Sequence, residues 1–509
     1  MRLLIISPHF PPTNAADHQR VRLVLPYLKE NGWEAEVLAV DAGCVASPMD
    51  DWLSAGLPAD VPLHRVQALG LGWSRIPGLG TLTFRALGAL RRCGDALLKT
   101  GRFDLVYFST TQFGVHVLGP RWRQKFGVPF VMDYQDPWVS DYYRTHPQVT
   151  PPGGRLKYAL ADWLNRRHEP RVLRHCAGIT SVSADYPRQL SDRYAWLNIE
   201  ILKAETLKLE DRGQRAEGRG QMSELRAPTS ISTPLSALRS PLSVLIAPFP
   251  GEERDLQRVA TDGTRQTIFS PNDGKQHWVY VGRGGADMQL ALRALFQALR
   301  EHLKNQPTLR EHLRLHFIGT SYAAAGRGRK MVEPLAQELG LSEVVVESTD
   351  RIPYSQTLRC LLDADALMVP GSDDPGYTAS KIYPYLLAGK PLLAVFHEQS
   401  SVVSLLQTVK GGTVVAFKTG EDGEAIAARI QASGWLPSQR SEVGGQRLDH
   451  RLLTTDYRSL ASDLRSPLSA LRPSVLLDRS AFEPHTARAQ AAILGEFFNK
   501  ILKAKILKL

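Results

Sequence analysis

The chain has 509 residues, of which 43% are hydrophobic and 22% charged, and its net charge is +11. This length predicts two large domains or three smaller ones, and the composition is that of a globular protein. The four scattered cysteines lack metal or redox spacing, and no apolar run approaches the ~20 residues needed to span a membrane. The segment 1–10 is too short and too strand-like for a signal peptide, so we expect a cytoplasmic protein.

Apolar runs alternate with amphipathic segments along most of the chain. In the first part, strands are predicted at RLLIIS, EAEVLAV, DLVYFST, PFVMDYQD and GITSVS, separated by helices such as HQRVRLVLPYLKENG. In the second part, strands are predicted at HWVYVGRG, LRLHFIG, EVVVES and ALMVP. This alternation predicts parallel sheets covered by helices on both faces. We therefore predict an α/β protein with two doubly wound, Rossmann-like domains, whose ligands bind at the carboxyl ends of the strands.

Two low-complexity segments interrupt the alternation. Heptapeptide units such as DRGQRAE and STPLSAL follow residue 210, units such as RLLTTDY and RSLASDL follow residue 450, and the string PLSALR begins at both Pro234 and Pro467. Prolines within the units break the register that a coiled coil needs. We interpret the units as translated nucleotide repeats inserted into an older gene, and we expect them to be disordered.

These interruptions set the predicted domain boundaries. We predict an N-terminal Rossmann-like domain over 1–195, a repeat-derived insertion over 196–247, a C-terminal Rossmann-like domain over 248–435, a second insertion over 436–479, and a C-terminal helix and tail over 480–509. Each doubling of loop length costs only ~0.6 kcal/mol, so we expect the core to fold despite the insertions.

The excess basic charge also follows the repeats. Residues 201–247 and 438–479 each carry seven basic and five acidic residues, and 501–509 adds three lysines, so these segments hold seven of the eleven net charges. No interleaving of aromatic and basic residues supports a nucleic-acid surface. We therefore expect no nucleic-acid partner, and binding through the basic repeats is kept as an alternative.

Polar residues follow the first predicted strand, in the stretch SPHFPPTNAADHQR from residue 7 to residue 20. The stretch lacks the glycine spacing of a dinucleotide-binding loop. Its prolines fix an extended loop, and Asn14 or Asp17 is placed to cap the next helix. Either His9, Asn14 and Arg20 face a substrate, or the loop is only a well-capped connector.

Two acids follow another strand, in MDYQDPW from residue 132 to residue 138. Asp133 and Asp136 lie three residues apart at a strand end, where they can bind sugar hydroxyls or act as a base. The alternative is a turn in which Asp136 precedes Pro137. We favour a functional role for both acids and place Trp138 beside the substrate.

Two glycine-rich basic loops end strands in the second half of the chain. In VGRGGAD, Gly282 and Gly284 allow close approach of a ligand to the backbone, and Arg283 can bind a phosphate with two hydrogen bonds. In FIGTSYAAAGRGRK, Gly319 and Thr320 occupy the equivalent place. The alternative for each loop is a tight turn with solvated basic side chains.

A third loop joins the strand ALMVP to a predicted helix that begins near Ser380 and Lys381. Free backbone N–H groups at a helix start favour an anion, although the dipole alone contributes only ~0.3–1 kcal/mol. Charge-assisted hydrogen bonds from these two side chains would add to it, and together with a basic residue of another loop they would hold a diphosphate. Ser372, Asp373 and Asp374 are placed to take sugar hydroxyls. The alternative is a capped helix with an exposed lysine.

These motifs together resemble those of bacterial glycosyltransferases of the family 4 type, which have the GT-B fold. The resemblance rests on LLIISPHFPPTNAADHQRVR, DLVYFSTTQFG, VMDYQDPWVSDYY, YVGRGGADM, FIGTSYAAAGRG and PGSDDPGYTASKIYPYLLAGKPLLAVF. It covers residues 1–194, 245–435 and 481–499, and the repeats fall outside it. The resemblance implies a nucleotide-sugar donor on the C-terminal domain, an acceptor on the N-terminal domain, and retaining transfer without a metal or a further cofactor.

The chain departs from the family pattern at three positions. Arg283 matches the phosphate-binding arginine, but Met288 stands where a partner lysine is usual, and Gly376 and Pro384 stand near the positions of the paired glutamates. Lys381 and Ser380 would then take over the contact with the diphosphate. The acceptor hydroxyl would attack from the side of Pro8–Arg20 and Asp133–Trp138, and the departing phosphate itself would accept its proton. The departures also support a second hypothesis, a catalytically silent GT-B protein that binds a nucleotide or glycan.

The segment 81–100 forms a predicted amphipathic helix with a basic face. It carries Arg85, Arg91, Arg92 and Lys99 beside Leu82, Phe84, Leu87, Leu90 and Leu97. Such a helix can lie on an acidic membrane surface and approach a lipid-linked acceptor, which would make the protein peripheral at the inner membrane face. The alternative, which we favour, is an ordinary helix packed on the sheet.

Overall fold

The structure, a computed structural model, describes residues 1–75, 80–145, 154–202, 241–323, 325–436 and 477–506. The chain divides into two compact units. Unit 1 consists of Met1–Pro250 with Pro484–Leu509, and unit 2 of Gly251–Glu483. Within the described residues, no helix is long and apolar enough to cross a membrane.

Unit 1 is built on a parallel sheet with helices around it. Its strands are Arg2–Ile6 (β1), Glu34–Val40 (β2), Leu63–Val66 (β3), Leu105–Ser109 (β4), Phe130–Tyr134 (β5), Gly178–Ser181 (β6), Ile199–Leu202 (β7) and Leu242–Ile246 (β8). Its helices are Gln19–Leu28 (α1), Asp51–Ser54 (α2), Leu82–Lys99 (α3), Leu118–Phe126 (α4), Tyr142–Thr145 (α5), Arg155–Leu173 (α6), Asp185–Arg193 (α7) and, from the end of the chain, Ala487–Ile506 (α17).

The strand order of this sheet is β3-β2-β1-β4-β5-β6-β8-β7, and every pair is parallel. Strands β1, β4 and β5 are buried almost throughout, which is why they appear in the sequence as continuous apolar runs. The order reverses between β1 and β4, so the carboxyl ends of these two strands border the crevice where doubly wound sheets bind ligands.

Unit 2 repeats this architecture with a six-stranded sheet. Its strands are Gln276–Val281 (β9), Leu313–Ile318 (β10), Val345–Ser348 (β11), Ala366–Pro370 (β12), Leu392–His397 (β13) and Thr413–Phe417 (β14). Its helices are Glu253–Thr261 (α8), Gln289–Asn305 (α9), Leu309–His312 (α10), Glu333–Glu338 (α11), Tyr354–Asp363 (α12), Ile382–Leu387 (α13), Ser401–Val409 (α14), Gly423–Ala432 (α15) and Arg479–Phe482 (α16). The all-parallel order β11-β10-β9-β12-β13-β14 reverses between β9 and β12. Two doubly wound, Rossmann-like domains are thereby confirmed.

The boundaries predicted for the first insertion were wrong at both ends. Residues 199–202 and 242–246 are paired parallel strands of the sheet of unit 1, and β8 lies between β6 and β7. Leu202, Val244 and Leu245 belong to the buried core, so these ends are part of the folded domain. The predicted disorder of the repeats falls on 203–240 and 437–476, which lie outside the described residues.

The C-terminal helix returns to unit 1, an arrangement that the sequence did not predict. Helix α17 packs on α1. The Trp33 indole donates a hydrogen bond to the carbonyl of Gly495 at 3.2 Å, and the Phe498 ring meets the Trp33 ring edge-on at 5.4 Å. The last helix therefore completes the N-terminal core rather than extending unit 2.

Helix α3 packs its apolar face on the sheet. Leu82 and Leu90 are buried, and the buried Arg85 donates hydrogen bonds to the carbonyls of Cys44 and Leu69 at 2.9 and 2.8 Å. These side chains are buried in the core of unit 1, so the structure gives no support for a membrane contact through 81–100.

Candidate functional site

In unit 2, the loops after β9 and β12 meet at the reversal of strand order. The backbone N–H of Asp373, after β12, donates to the carbonyl of Asp287, after β9, at 2.9 Å. The two loops that carry the predicted donor residues are thereby joined. This places them at the crevice where a doubly wound sheet binds its ligands.

Lys381 lies directly against the backbone of Gly282. Its Nζ donates to the Tyr280 hydroxyl at 2.7 Å and lies 4.5 Å from the centre of that ring, and the same hydroxyl donates to the carbonyl of Arg283 at 2.8 Å. A Cβ atom at residue 282 would fall 1.8 Å from Nζ, so only glycine leaves room for this lysine. Burial, and after it the charge of Arg283, lower the pKa of Lys381 to about 7.

Arg283 forms a bidentate ion pair with Asp287. Nη1 and Nη2 donate to the two carboxylate oxygens at 2.6 Å each, and the guanidinium lies 4.9 Å from the centre of the Tyr377 ring. Burial raises the pKa of Asp287, but the hydrogen bond and charge of Arg283 outweigh it and leave that pKa below its ordinary value. The pair fixes the orientation of the guanidinium beside Lys381.

The remaining predicted donor residues divide into buried and exposed groups. Thr320 is buried and donates to the carboxylate of Glu347 at 2.6 Å, and Gly319 adopts a left-handed backbone with φ of +71°. Ser372 is also buried, and its hydroxyl accepts a hydrogen bond from the backbone of Asp374 at 3.1 Å. The exposed ones, on the loop before α13, are Asp373, Asp374 and Ser380.

Helix α13 begins at Ile382, close to its predicted start, with Lys381 at its N-cap. The lysine side chain does not cap the helix and instead reaches Tyr280. Met288, which replaces the expected lysine, is fully buried, with its sulfur 3.9 Å from the Tyr280 hydroxyl. The cations brought together here are therefore Arg283 and Lys381.

In unit 1, Arg20 and Asp133 form a fully buried ion pair. Arg20 Nε donates to Asp133 Oδ2 at 2.8 Å, and its terminal nitrogens donate to the carbonyls of Ala247 and Pro248. Asp133 also accepts hydrogen bonds from Ser109, Gln135 and Thr180, each at 2.8 Å. All these partners belong to unit 1, so this geometry favours a structural role for the two residues over contact with an acceptor.

His9 and Asp17 form a second pair in unit 1, between the end of β1 and the start of α1. His9 Nδ1 lies 2.9 and 3.1 Å from the two Asp17 oxygens, and Thr110 donates to the same carboxylate at 2.9 Å. Burial raises the pKa of Asp17, but His9 and further partners outweigh it and lower that pKa overall. No hydrogen bond from His9 Nε2 is found among the described residues.

Helix α1 begins without a side-chain cap, so the prediction that Asn14 or Asp17 caps it was wrong. The Asp17 carboxylate instead pairs with the ring of His9. Of the other predicted residues, Asn14 is buried in the same loop and Asp136 is exposed. Trp138 is buried, donates to the side chain of Asn165 at 3.0 Å, and therefore lies in the interior instead of at the surface.

Residues 18–198 match the family model described as "Glycosyl transferase 4-like domain". This part of the chain is similar to a glycosyltransferase 4-like domain. The match spans α1 to α7 of unit 1, leaves out β1, β7, β8 and α17, and supports sugar transfer as the general activity. The predicted resemblance to family 4 glycosyltransferases is thus confirmed. No curated protein sequence matches the chain.

Solved structures resemble the chain over nearly its whole length. A glycosyltransferase from Rickettsia africae is 12% identical with a TM-score of 0.50, covering 99% of this chain and 98% of its own. The alpha,alpha-trehalose 6-phosphate synthase of Burkholderia multivorans is 13% identical with a TM-score of 0.53, covering 100% and 99%. The UDP-forming alpha,alpha-trehalose-phosphate synthase of Burkholderia xenovorans, in complex with glucose-6-phosphate, is 12% identical with a TM-score of 0.53, covering 98% and 100%. At these identities the likeness establishes the GT-B fold.

Sequence reasoning missed several residues of the site. Asp287, Tyr280 and Tyr377 surround the two cations, and Asp17 supports His9. Asp287 lies only four residues after Arg283, in the same strand-end loop, where opposite charges are within reach of each other. That spacing was the available signal, whereas nothing local in the sequence links Tyr280 to Lys381.

Proposed function

We propose that this chain transfers a sugar from a nucleotide-sugar donor bound at the carboxyl edge of the unit 2 sheet. The observation that carries the proposal is the convergence of Arg283 and Lys381 around Gly282, where the strand order reverses. Two cations beside a backbone without side chains suit a diphosphate, which approaches closely and carries negative charge. One of the structures with a similar fold is a UDP-forming synthase, which agrees with such a donor.

The chemistry assigned to unit 2 is stabilisation of the leaving group. As the bond between the anomeric carbon and the diphosphate breaks, negative charge grows on the nucleoside diphosphate, and Arg283 and Lys381 offset it. We assign the exposed Asp373 and Asp374 to sugar hydroxyls. In this proposal no metal is required, because the two side-chain cations supply the charge.

We assign the acceptor to the carboxyl edge of the unit 1 sheet. His9 has one ring nitrogen held by Asp17 and is placed to bind an acceptor hydroxyl through the other. The acceptor class we propose is a glycan or a lipid-linked sugar, in the synthesis of a cell-surface polysaccharide. Transfer proceeds with retention, and the departing phosphate accepts the hydroxyl proton.

The decisive experiment is thermal unfolding with UDP-, GDP-, ADP- and TDP-sugars. A donor at a hundred times its dissociation constant stabilises the protein by ~2.7 kcal/mol, which a melt detects. We expect one nucleotide class to raise the melting temperature of the wild type but not of Lys381→Ala or Gly282→Ala. The matched control is Gly70→Ala, where an added Cβ meets no atom within 4 Å. Stabilisation by no donor would contradict the proposed donor site.

A further inference from the structure

Helix α6 of unit 1 exposes a row of large apolar side chains along its first half. The exposed fractions are 91% for Leu156, 49% for Leu160, 59% for Trp163 and 39% for Leu164. Spacings of four, three and one residues place these side chains on one face of a helix. A contiguous apolar patch of this kind on a soluble domain marks an interaction surface.

The same helical face becomes basic after the apolar row. Arg167 follows Trp163 by four residues, and Arg171 and Arg174 continue the spacing, all three exposed. The Arg167 guanidinium lies 5.9 Å from the centre of the Trp163 ring. We call the seven residues of this face the α6 stripe.

The acidic residues of α6 do not neutralise the stripe. Asp162 accepts both of its hydrogen bonds from Arg166, at 3.0 and 2.9 Å, and Arg166 lies on another side of the helix. Glu169 is buried and accepts hydrogen bonds from Tyr134, Arg193 and Tyr194. The arginines of the stripe therefore keep their positive charge available to an external anion.

The far half of α6 is anchored in the domain, which holds the stripe in place. Glu169 contacts the end of β5 through Tyr134, and Asn165 accepts a hydrogen bond from the Trp138 indole at 3.0 Å. Val172 and Leu173 are buried. The apolar half is thus presented at the surface by a rigidly attached helix.

We propose that the α6 stripe docks on an anionic lipid surface. Apolar side chains of interfacial helices enter ~5–10 Å into the boundary between headgroups and acyl chains. When the helix lies in the plane of the interface, Arg167 and Arg171, about 5 and 10 Å along the axis from Leu164, can reach the level of the lipid phosphates. Tryptophan is enriched at this boundary, as Trp163 would be. The contact does not depend on the donor site.

The charge of the stripe selects the lipid over a protein partner or a second copy. Apolar and basic side chains share one face of the helix, so in the plane of the interface the apolar ones enter the acyl boundary while the arginines extend to the phosphates. Isologous pairing would need the same surface to be self-complementary, and the stripe offers no acidic group to meet its arginines. An anionic lipid headgroup supplies that charge.

The test is co-sedimentation of the full chain with vesicles of phosphatidylcholine containing phosphatidylglycerol, compared with phosphatidylcholine alone. We expect the wild type to bind the anionic vesicles preferentially. The double variant Leu160→Gln/Trp163→Gln should lower the partition coefficient at least tenfold. The double variant Arg167→Gln/Arg171→Gln should lower it about fivefold for each arginine and should remove the preference for anionic lipid. The matched control is Met49→Gln, an exposed apolar residue (50%) of unit 1 outside α6, which should bind like the wild type.

Two results would overturn the proposal. The first is that the wild type does not bind the anionic vesicles, or that both double variants, with melting temperatures equal to that of the wild type, bind them as well as the wild type does. The other is a wild-type dimer in light scattering that both double variants dissociate, which would assign the α6 stripe to a second copy of this chain. Because all four substituted side chains are exposed, the variants should fold.

Discussion

Arg283 and Asp287 are joined by two hydrogen bonds of 2.6 Å, so the guanidinium of the donor loop is already oriented. Asp287 also accepts the backbone N–H of Asp373 through its carbonyl. Asp287 thereby contacts both Arg283, in the loop after β9, and the loop after β12. The two bonds to Asp287 use two of the five N–H donors of the arginine, so the pair can persist while the guanidinium contacts a phosphate.

We predict that this pair acts as a unit in donor binding. Arg283→Lys loses the bidentate geometry, and Asp287→Asn loses the charge that orients it, so each should weaken donor affinity about tenfold. The double variant should be no weaker than the weaker single variant. Titration calorimetry of the four proteins gives the coupling energy, and additive effects would show that the two residues act independently.

Lys381 should make donor binding depend on pH. Its pKa is lowered to about 7 in the free protein, so the ammonium form that binds a diphosphate is lost as the pH rises through 7. The donor affinity should be about tenfold weaker at pH 8 than at pH 6, with proton uptake on binding. Calorimetry at pH 6, 7 and 8 measures both. Lys381→Met should bind weakly with no such dependence, and a flat profile for the wild type would refute the assignment.

A substitution in the buried pair of Arg20 and Asp133 tests whether the role of Asp133 is structural or catalytic. Asp133→Asn leaves the Arg20 charge buried without its partner, which we expect to cost about 3–5 kcal/mol of unfolding free energy. Urea denaturation measures this loss. Transfer activity should persist at temperatures where the variant is folded. Unchanged stability with lost activity would instead support the predicted catalytic role of Asp133.

His116 should make unit 1 less stable in acid. The ring is buried, its Nδ1 donates to the carbonyl of Phe113 at 2.9 Å, and burial lowers its pKa to about 4. Since the folded-state pKa lies below the ordinary value of 6.5, the unfolded chain takes up the proton first as the pH falls. The contribution of neutral His116 is complete above pH 6.5 and is lost between pH 6.5 and about 4, on the order of 3 kcal/mol in all.

The control for this prediction is His116→Asn, whose amide can still donate to Phe113 but does not titrate. Urea denaturation of both proteins between pH 7.5 and 4.5 gives the difference in unfolding free energy. That difference should shrink by up to the stated amount as the pH falls. A difference that is constant with pH would show that His116 is not held neutral.

The elements that the sequence did not predict, and the position of the predicted C-terminal helix on unit 1, share a physical origin. Several large apolar side chains of helix α6 are exposed, so the helix does not show the single apolar face towards the core by which a helix is usually predicted. Strands β7 and β8 border the first run of repeats. Strand β8 gains its place in the sheet by pairing with β6 and β7, and β7 gains its place by pairing with β8. Helix α17 depends on Trp33, more than 450 residues away in sequence. Such contacts leave no local pattern.

The sequence by itself determined the two parallel sheets and the loops at their carboxyl edges. Continuous apolar runs mark strands buried on both faces, and the geometry of parallel sheets then gathers the strand-end loops of Arg283 and Lys381 on one edge. Only the tertiary structure decided which side chains meet there. It directs Lys381 to Tyr280, Arg283 to Asp287 and Asp133 to Arg20, because a buried charge needs a partner in space, and distance along the chain does not specify that partner.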